Sequence, residues 1–216
     1  MGKAEAIRVA VDALVGATLA PACAGCSRVL DAPLDGPVCP ACWDDVARSG
    51  GNYDGALRHV IHAFKYEGRR SLAPRLGVLM RDAGEHVLRD AACVVPVPLH
   101  PWRRFRRGFN QAADLAAHLD RPVVHALWRV RATSAQAGLT APARRRNVRG
   151  AFRLSPLLSR RSRETLVEDR VVVLVDDVTT TGATLNACAE VLLRAGAADV
   201  RTLTLARAEL HKPTPG

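Results

Sequence analysis

The sequence predicts an α/β protein, a parallel sheet with helices on both faces, preceded by a small N-terminal module held by four cysteines. Three observations lead there. Short, continuous apolar runs at residues 93–99 and 171–175 alternate with longer stretches of helical periodicity, the pattern of strands buried on both faces. An acid pair and a threonine-rich turn, Asp176-Asp177-Val178-Thr179-Thr180-Thr181-Gly182, follow the stronger run directly. Two Cys-x-x-Cys pairs, Cys23 with Cys26 and Cys39 with Cys42, stand close together near the start.

Residues 9–20 are the most apolar early stretch. Asp12 and Gly16 interrupt it, and it falls short of the roughly 20 apolar residues of a membrane span. A secretory leader is the rival reading, since Lys3 and Arg8 precede the stretch, but Asp12 argues against it. The expectation is a first amphipathic helix with Ile7, Val11, Leu14 and Val15 on one face, packed on its own domain or the next module.

Each Cys-x-x-Cys turn aims two sulfurs at one point, and two such turns complete a tetrahedron around zinc with no open position. Disulfide pairing is the alternative. No convincing leader and two further lone cysteines, Cys93 and Cys188, favour a reducing cytoplasm and therefore metal. A four-thiolate zinc would be structural, stapling a module too small for its own core.

Gly50-Gly51-Asn52 is a turn-rich hinge, which places a domain boundary near residue 50 and divides the chain into 1–50 and 51–216. Residues 54–66 and 71–89 read as helices, with Leu57, Ile61 and Phe64, then Leu76, Leu79 and Val87, facing inward. The run at 93–99 is a buried strand, 110–119 a helix, Val123-Val124 the start of another strand and 151–154 a short one. The clearest strand begins at Val171. A helix over 184–195 ends at Gly196, and 199–206 closes as a strand.

Composition bounds the class. At 48% hydrophobic and 24% charged, the 216 residues describe a globular chain and exclude wholesale disorder. Lys+Arg number 31 against 21 Asp+Glu, a formal charge of +10, with only three lysines. Residues 101–163 hold fifteen arginines and two acids, Asp114 and Asp120, a net of +13; the rest of the chain sums to −3. One basic face that meets phosphate or nucleic acid fits this better than a uniformly basic tail protein. Aromatics are only 4%, so rings for base stacking are few, chiefly Trp102, Phe105, Phe109 and Tyr66.

Ligands of open α/β sheets sit beyond the carboxyl ends of the strands, where the acid pair falls. The turn after it offers successive backbone N–H groups, threonine hydroxyls, a glycine that admits close approach, and a helix N-terminus: the parts of a monophosphate cradle. Two adjacent carboxylates accept hydrogen bonds from vicinal hydroxyls or hold a magnesium ion. Together they make a sugar-phosphate site. A capping turn is the ordinary alternative for an Asp pair alone. Neither Gly-x-Gly-x-x-Gly after an early strand nor a Walker-type phosphate loop occurs.

The string Val-Leu-Val-Asp-Asp-Val-Thr-Thr-Thr-Gly-Ala-Thr resembles the phosphoribosyl-pyrophosphate signature of type I phosphoribosyltransferases. The rest of the chain is similar to the ComF family within them, also called ComFC or GntX-like. That likeness is carried by the paired Cys-x-x-Cys module, Phe-Lys-Tyr-Glu-Gly at 64–68, Val-Pro-Val-Pro-Leu-His-Pro at 95–101, Arg-Arg-Phe-Arg-Arg-Gly-Phe-Asn-Gln-Ala at 103–112, and residues 133–152. Residues 154–169 are longer and more basic than the family pattern.

The resemblance implies that Asp176 and Asp177 bind the ribose hydroxyls as the catalytic acids, with Asp176 meeting Mg²⁺ through the substrate. It implies that Thr179, Thr180, Thr181, Gly182, Ala183 and Thr184 complete the phosphoribosyl-pyrophosphate site, residues 180–184 holding the 5′-phosphate. Arg103, Arg104, Arg107, Asn110 and Gln111 occupy the position of the pyrophosphate loop, where arginine suits a polyanionic leaving group. Residues 131–149, with Gln136, Arg144 and Asn147, have the position and composition of a mobile lid.

Three functions follow from the likeness: a phosphoribosyltransferase, of the glycosyltransferase class, with an unidentified acceptor; a DNA-uptake (competence) or DNA-processing factor whose basic face holds single-stranded DNA and whose partners are uptake helicase or processing proteins; and a phosphoribosyl-pyrophosphate sensor without turnover.

Overall fold

The computed structural model describes residues 3–131 and 148–208, without the side chains of Lys3, Ala6, Gly16, Ala17, Arg103 and Arg106. Contacts divide the chain after Leu72, into Met1–Leu72 and Ala73–Gly216. The helix that follows the Gly50-Gly51 hinge therefore sits with the cysteine module.

In the first unit α1 (Lys3–Leu19) is followed by a single 3-10 turn at Pro33–Asp35, then α2 (Pro40–Arg48) and α3 (Gly55–Tyr66). Helix α2 begins at Pro40 because proline's fixed φ suits the first helical position, with extended Cys39 as its cap. It packs on α3. Trp43 and Val46 of α2 and Leu57, Val60, Ile61 and Phe64 of α3 are buried, as the periodicity predicts for α3.

Helix α1 departs from expectation. Ile7 and Leu14 are each 64% exposed and Val11 is 39% exposed, whereas Asp12 is buried. The Asp12 carboxylate accepts the backbone N–H of Leu34 at 2.8 Å, and Arg8, one turn earlier, pairs with Asp35. These polar contacts to the 3-10 turn set the rotation of α1. A buried polar group left without a partner costs about 1–3 kcal/mol, comparable to the gain from covering one aliphatic side chain, so the buried Asp12 carboxylate needs its donor.

The second unit runs α4 (Ala73–Ala83), α5 (Glu85–Leu88), β1 (Cys93–Pro96), α6 (Pro101–Arg107), α7 (Gln111–Ala116), β2 (Leu127–Arg129), β3 (Phe152–Leu154), α8 (Arg160–Leu166), β4 (Val171–Thr179), α9 (Ala183–Arg194) and β5 (Asp199–Arg207). Strand β4 lies between β1 and β5, all parallel, with Cys93 opposite Val172 and Val171 opposite Asp199. Val123 adds a parallel bridge to Val94 on the outer edge of β1, where the sequence suggested a strand would start. Helices cover both faces. On one, Cys93, Val95, Val172 and Leu174 meet Leu185, Cys188 and Leu192 of α9; on the other, α7 lies on β1 and β4, over the side of the sheet that carries the buried Val94, Val173 and Val175. The α/β expectation holds.

Differences from the sequence reading have local causes. The expected helix over 71–89 is broken at Gly84, where a Cβ would lie 2.5 Å from Leu203 Cδ1 and 2.9 Å from the Met80 carbonyl, so the chain there passes too close to β5 for a side chain. Helices α6 and α8 were not anticipated. Their signals are caps rather than apolar periodicity: the His100 ring accepts the Trp102 N–H and Gly108 closes α6 in the left-handed region, while Ser159 accepts the Ser162 N–H at the start of α8. Among the described residues no helix is long and apolar enough to cross a membrane.

Gly77 holds α4 against α7, since a Cβ there would lie 2.5 Å from His118 Cβ and 3.3 Å from the Leu115 carbonyl. Alanine gains about 1 kcal/mol of helix propensity but incurs about 1–3 kcal/mol of overpacking. Gly77→Ala is expected to lower the denaturant midpoint, by about 1 kcal/mol of stability net of the two effects. A raised midpoint would show that the helices part without strain.

Candidate functional site

The cysteine cluster is built from two turns. The first, Cys23 to Cys26, lies inside a small hairpin closed by the Ala22–Val29 bridge and by Cys23 N–H donating to Arg28 O at 2.8 Å. The second, Cys39 to Cys42, opens α2, whose dipole favours thiolates there. All four sulfurs lie within 4.8 Å of one another, and Cys26 and Cys39 Sγ are 3.9 Å apart. A tetrahedron with Zn–S bonds of about 2.3 Å needs sulfurs roughly 3.8 Å apart, so the spacing fits a metal without rearrangement.

Backbone donors support the charge. Gly25 N–H and Cys39 N–H each lie 3.3 Å from Cys23 Sγ. The Arg28 N–H, the largest influence, draws the Cys26 thiol down to about 6. Burial, with the neighbouring sulfurs, pushes Cys42 up. Four crowded thiols are thus held where a dication would relieve their mutual repulsion. Helix α3 reaches this turn: His59 Nδ1 lies 3.0 Å from Gly25 O, and because a carbonyl only accepts, the proton sits on Nδ1.

In the second unit, β1 pairs with β4 only as far as Pro96 opposite Val175, so Asp176 is the first residue of β4 beyond that edge, still opposite Thr204 of β5. Each acid fixes the next peptide: Asp177 N–H donates to Asp176 Oδ1 at 2.9 Å and Val178 N–H to Asp177 Oδ1 at 2.6 Å. Asp177 is 9% exposed and Asp176 half-buried. Strand β4 continues through Thr179. Thr180 is exposed, Thr181 and Thr184 are half-buried, and Gly182 turns the chain at φ +70° before Ala183 enters α9. Thr181 Oγ1 lies 3.4 Å from the Ala183 N–H. The first N–H groups of a helix lack intrahelical acceptors, and here they follow two carboxylates at the carboxyl edge of the sheet.

Helix α6 leaves β1 at that same edge, because β1 and β4 are parallel neighbours. Arg104 is exposed; Arg107 donates to Gln111 Oε1 at 3.1 Å. Asn110 Nδ2 donates to Val97 O at 3.1 Å while its Oδ1 accepts the Ala112 N–H at 3.2 Å, tying the end of β1 to the start of α7. Gln111 is buried, at 1% exposure. Asn110 and Gln111 thus brace the basic helix from behind. The Arg103 side chain and Gln136, Arg144 and Asn147 lie outside the described residues; the hairpin of β2 and β3 brackets the last three, with Val130 N–H donating to Ala151 O.

Sequence reasoning missed Arg129. It is 5% exposed, in register with Phe152, with its guanidinium 5.2 Å from that ring's centre. Burial pushes the Cys188 thiol of α9 up. The one trace of Arg129 in the sequence is its place inside the apolar run Leu127-Trp128-Arg129-Val130, where composition alone counts it as surface charge.

Gly25 provides the sharpest test of the cysteine cluster, since a Cβ there would lie 2.7 Å from Cys42 Sγ and 2.8 Å from its Cβ. Gly25→Ala is expected to displace Cys42 and to lose most of the bound metal by elemental analysis; full retention would show that the turns close without this approach.

Comparison with known proteins agrees with this geometry. A model of the phosphoribosyl transferase domain matches residues 105–214. Competence protein F of Haemophilus influenzae is 36% identical over 77% of this chain and 74% of its own. DNA utilization protein YhgH of Escherichia coli O157:H7 is 34% identical over 86% of this chain and 89% of its own, and Competence protein ComFC of Bacillus subtilis is 32% identical over 74% and 63%. With the acid pair and the threonine-rich turn on β4 and α9, and four clustered cysteines ahead of them, the chain belongs to the ComF family of phosphoribosyl transferase domain proteins.

Proposed function

We propose that this protein binds phosphoribosyl pyrophosphate with Mg²⁺ at the turn between β4 and α9, and that it serves DNA uptake or nucleotide-related metabolism in the cytoplasm, with a structural zinc on Cys23, Cys26, Cys39 and Cys42. The observation that carries the reading is the juxtaposition of Asp176 and Asp177 with the left-handed Gly182 that opens α9. Carboxylate oxygens suit the ribose hydroxyls, and the helix N-terminus suits the 5′-phosphate. Hard oxygen donors also suit magnesium, which would neutralise charge on the diphosphate.

The roles of the chain's own residues follow. Asp176 and Asp177 bind and orient the ribose. Thr180, Thr181 and Thr184 donate hydroxyl hydrogen bonds to phosphate, and Gly182 lets the backbone approach it. Arg104 and Arg107 attract the diphosphate, Gln111 holding Arg107 in place. Positive charge on the sugar and negative charge on the departing diphosphate develop together, so fixed acids and arginines at one edge of the sheet would stabilise the transition state. Whether an acceptor follows, or the site only senses the ligand, is decided by pyrophosphate release in a metabolite pool.

A second reading, single-stranded DNA binding by the basic stretch, is favoured by the charge concentrated over residues 101–163 and by the words competence and DNA utilization in the relatives' names.

Calorimetric titration with phosphoribosyl pyrophosphate and Mg²⁺ should give saturable binding to the wild-type chain. Replacing both acids, Asp176→Asn with Asp177→Asn, should weaken it by about a hundredfold, as loss of two charge-assisted contacts implies. Undiminished affinity in the double variant would move the ligand elsewhere.

A further inference from the structure

Helix α6 carries an unusual surface. Trp102 is 63% exposed and Phe105 81% exposed, although both are large rings. They stand one turn apart with centroids 6.2 Å apart and planes inclined by 22°, a stacked pair open to solvent. The rest of the helix is Pro101 and arginine: Arg103, Arg104, Arg106 and Arg107. His100 fixes Trp102 by accepting its N–H at 3.3 Å, and Gly108 ends the helix in the left-handed region, so the pair sits on a capped element.

Exposed rings among cations mark a site of contact, since apolar surface left in water gains by being covered. We propose that the Trp102–Phe105 pair is a stacking platform for the bases of a single-stranded nucleic acid, whose phosphates the α6 arginines hold. Charge complementarity selects a polyanion. The rings select one with unpaired flat faces, because a duplex keeps its bases stacked inside and offers α6 only phosphates. A membrane surface fits less well: an interfacial helix buries aliphatic side chains over several turns, and α6 has two turns and no Leu, Ile, Val or Met. The platform lies at the edge of the sheet where β1 ends, which is also the edge of the acid pair. The proposal rests on the second reading given above and is independent of phosphoribosyl pyrophosphate.

The test is a binding series with labelled oligothymidylate, the same strand annealed to its complement, and oligouridylate, each across a range of salt. Wild-type protein should bind the single strand more tightly than the duplex. Trp102→Leu with Phe105→Leu should weaken single-strand binding by about tenfold or more while leaving the salt slope and the thermal midpoint unchanged. Tyrosine at both positions should restore it. Arg104→Gln should instead reduce the salt slope by about one. In a Trp128→Phe background, where Trp43 is buried, the strand should quench Trp102 emission. The oligouridylate arm separates DNA from RNA as the strand recognised, and ring-dependent binding of either supports the platform. Unchanged affinity in the leucine double variant, equal losses on strand and duplex, or ring-dependent binding to anionic vesicles with none to the strand would each overturn it. No strand binding by the wild-type chain would remove the second reading itself, whereas strand binding without ring dependence removes only the platform.

Discussion

Strand β4 is hydrogen-bonded along both edges, and most of the second unit is arranged around that constraint. A central parallel strand has no solvated side, so residues 172–175 must be apolar, and both faces must be covered by helices. The first charged residues can appear only where one neighbour stops. Strand β1 stops opposite Val175, and Asp176 follows. The same topology sends the chain out of β1 into α6 and out of β4 into the threonine-rich turn at one edge. The candidate site is therefore a consequence of the order β1-β4-β5, with the acids at the point where strand pairing ends on one side and continues on the other.

Legibility from sequence followed the physics of each element. Strands β1, β4 and β5 and helices α3 and α9 were readable because burial on one or both faces leaves an apolar run or period. The acid pair and its turn were readable because their residue types are rare together. Helix α6 was not, since its two apolar side chains face solvent and its arginines carry no periodic signal; only Pro101 and Gly108 punctuate it. Helix α1 was readable as a helix but not in its rotation. That depended on the Leu34 N–H, a long-range acceptor demand with no trace in local pattern. Gly84, where the helix breaks, also lies too close to Leu203 of β5 to carry a side chain.

The cysteine cluster shows the opposite balance. Spacing alone pointed to the four ligands, and the sulfurs converge. What spacing did not reveal is how close the two turns come. Gly25 lies so near Cys42 that any side chain would separate them, and His59 from α3 steadies the Gly25 carbonyl. Two residues outside the Cys-x-x-Cys positions' ligand set thus determine whether four thiols meet.

Arginine surplus also takes a different meaning once partners are counted residue by residue. Arg121 is spent on the carbonyls of Leu88 and Arg89, Arg107 on Gln111, and Arg129 is buried against Phe152. On α8, Arg160 pairs with Glu164 and Arg163 with Glu168, which offsets two of the three arginine charges there even though such exposed pairs add only about 0–1 kcal/mol each to stability. The exposed Arg104 lies between Trp102 and Phe105 in the sequence of α6, the helix that carries both exposed rings. A net charge of +13 over residues 101–163 therefore understates one helix and overstates another. Polyanion attraction is a property of where unneutralised charge and flat apolar surface coincide, and along the described part of this stretch they coincide on α6.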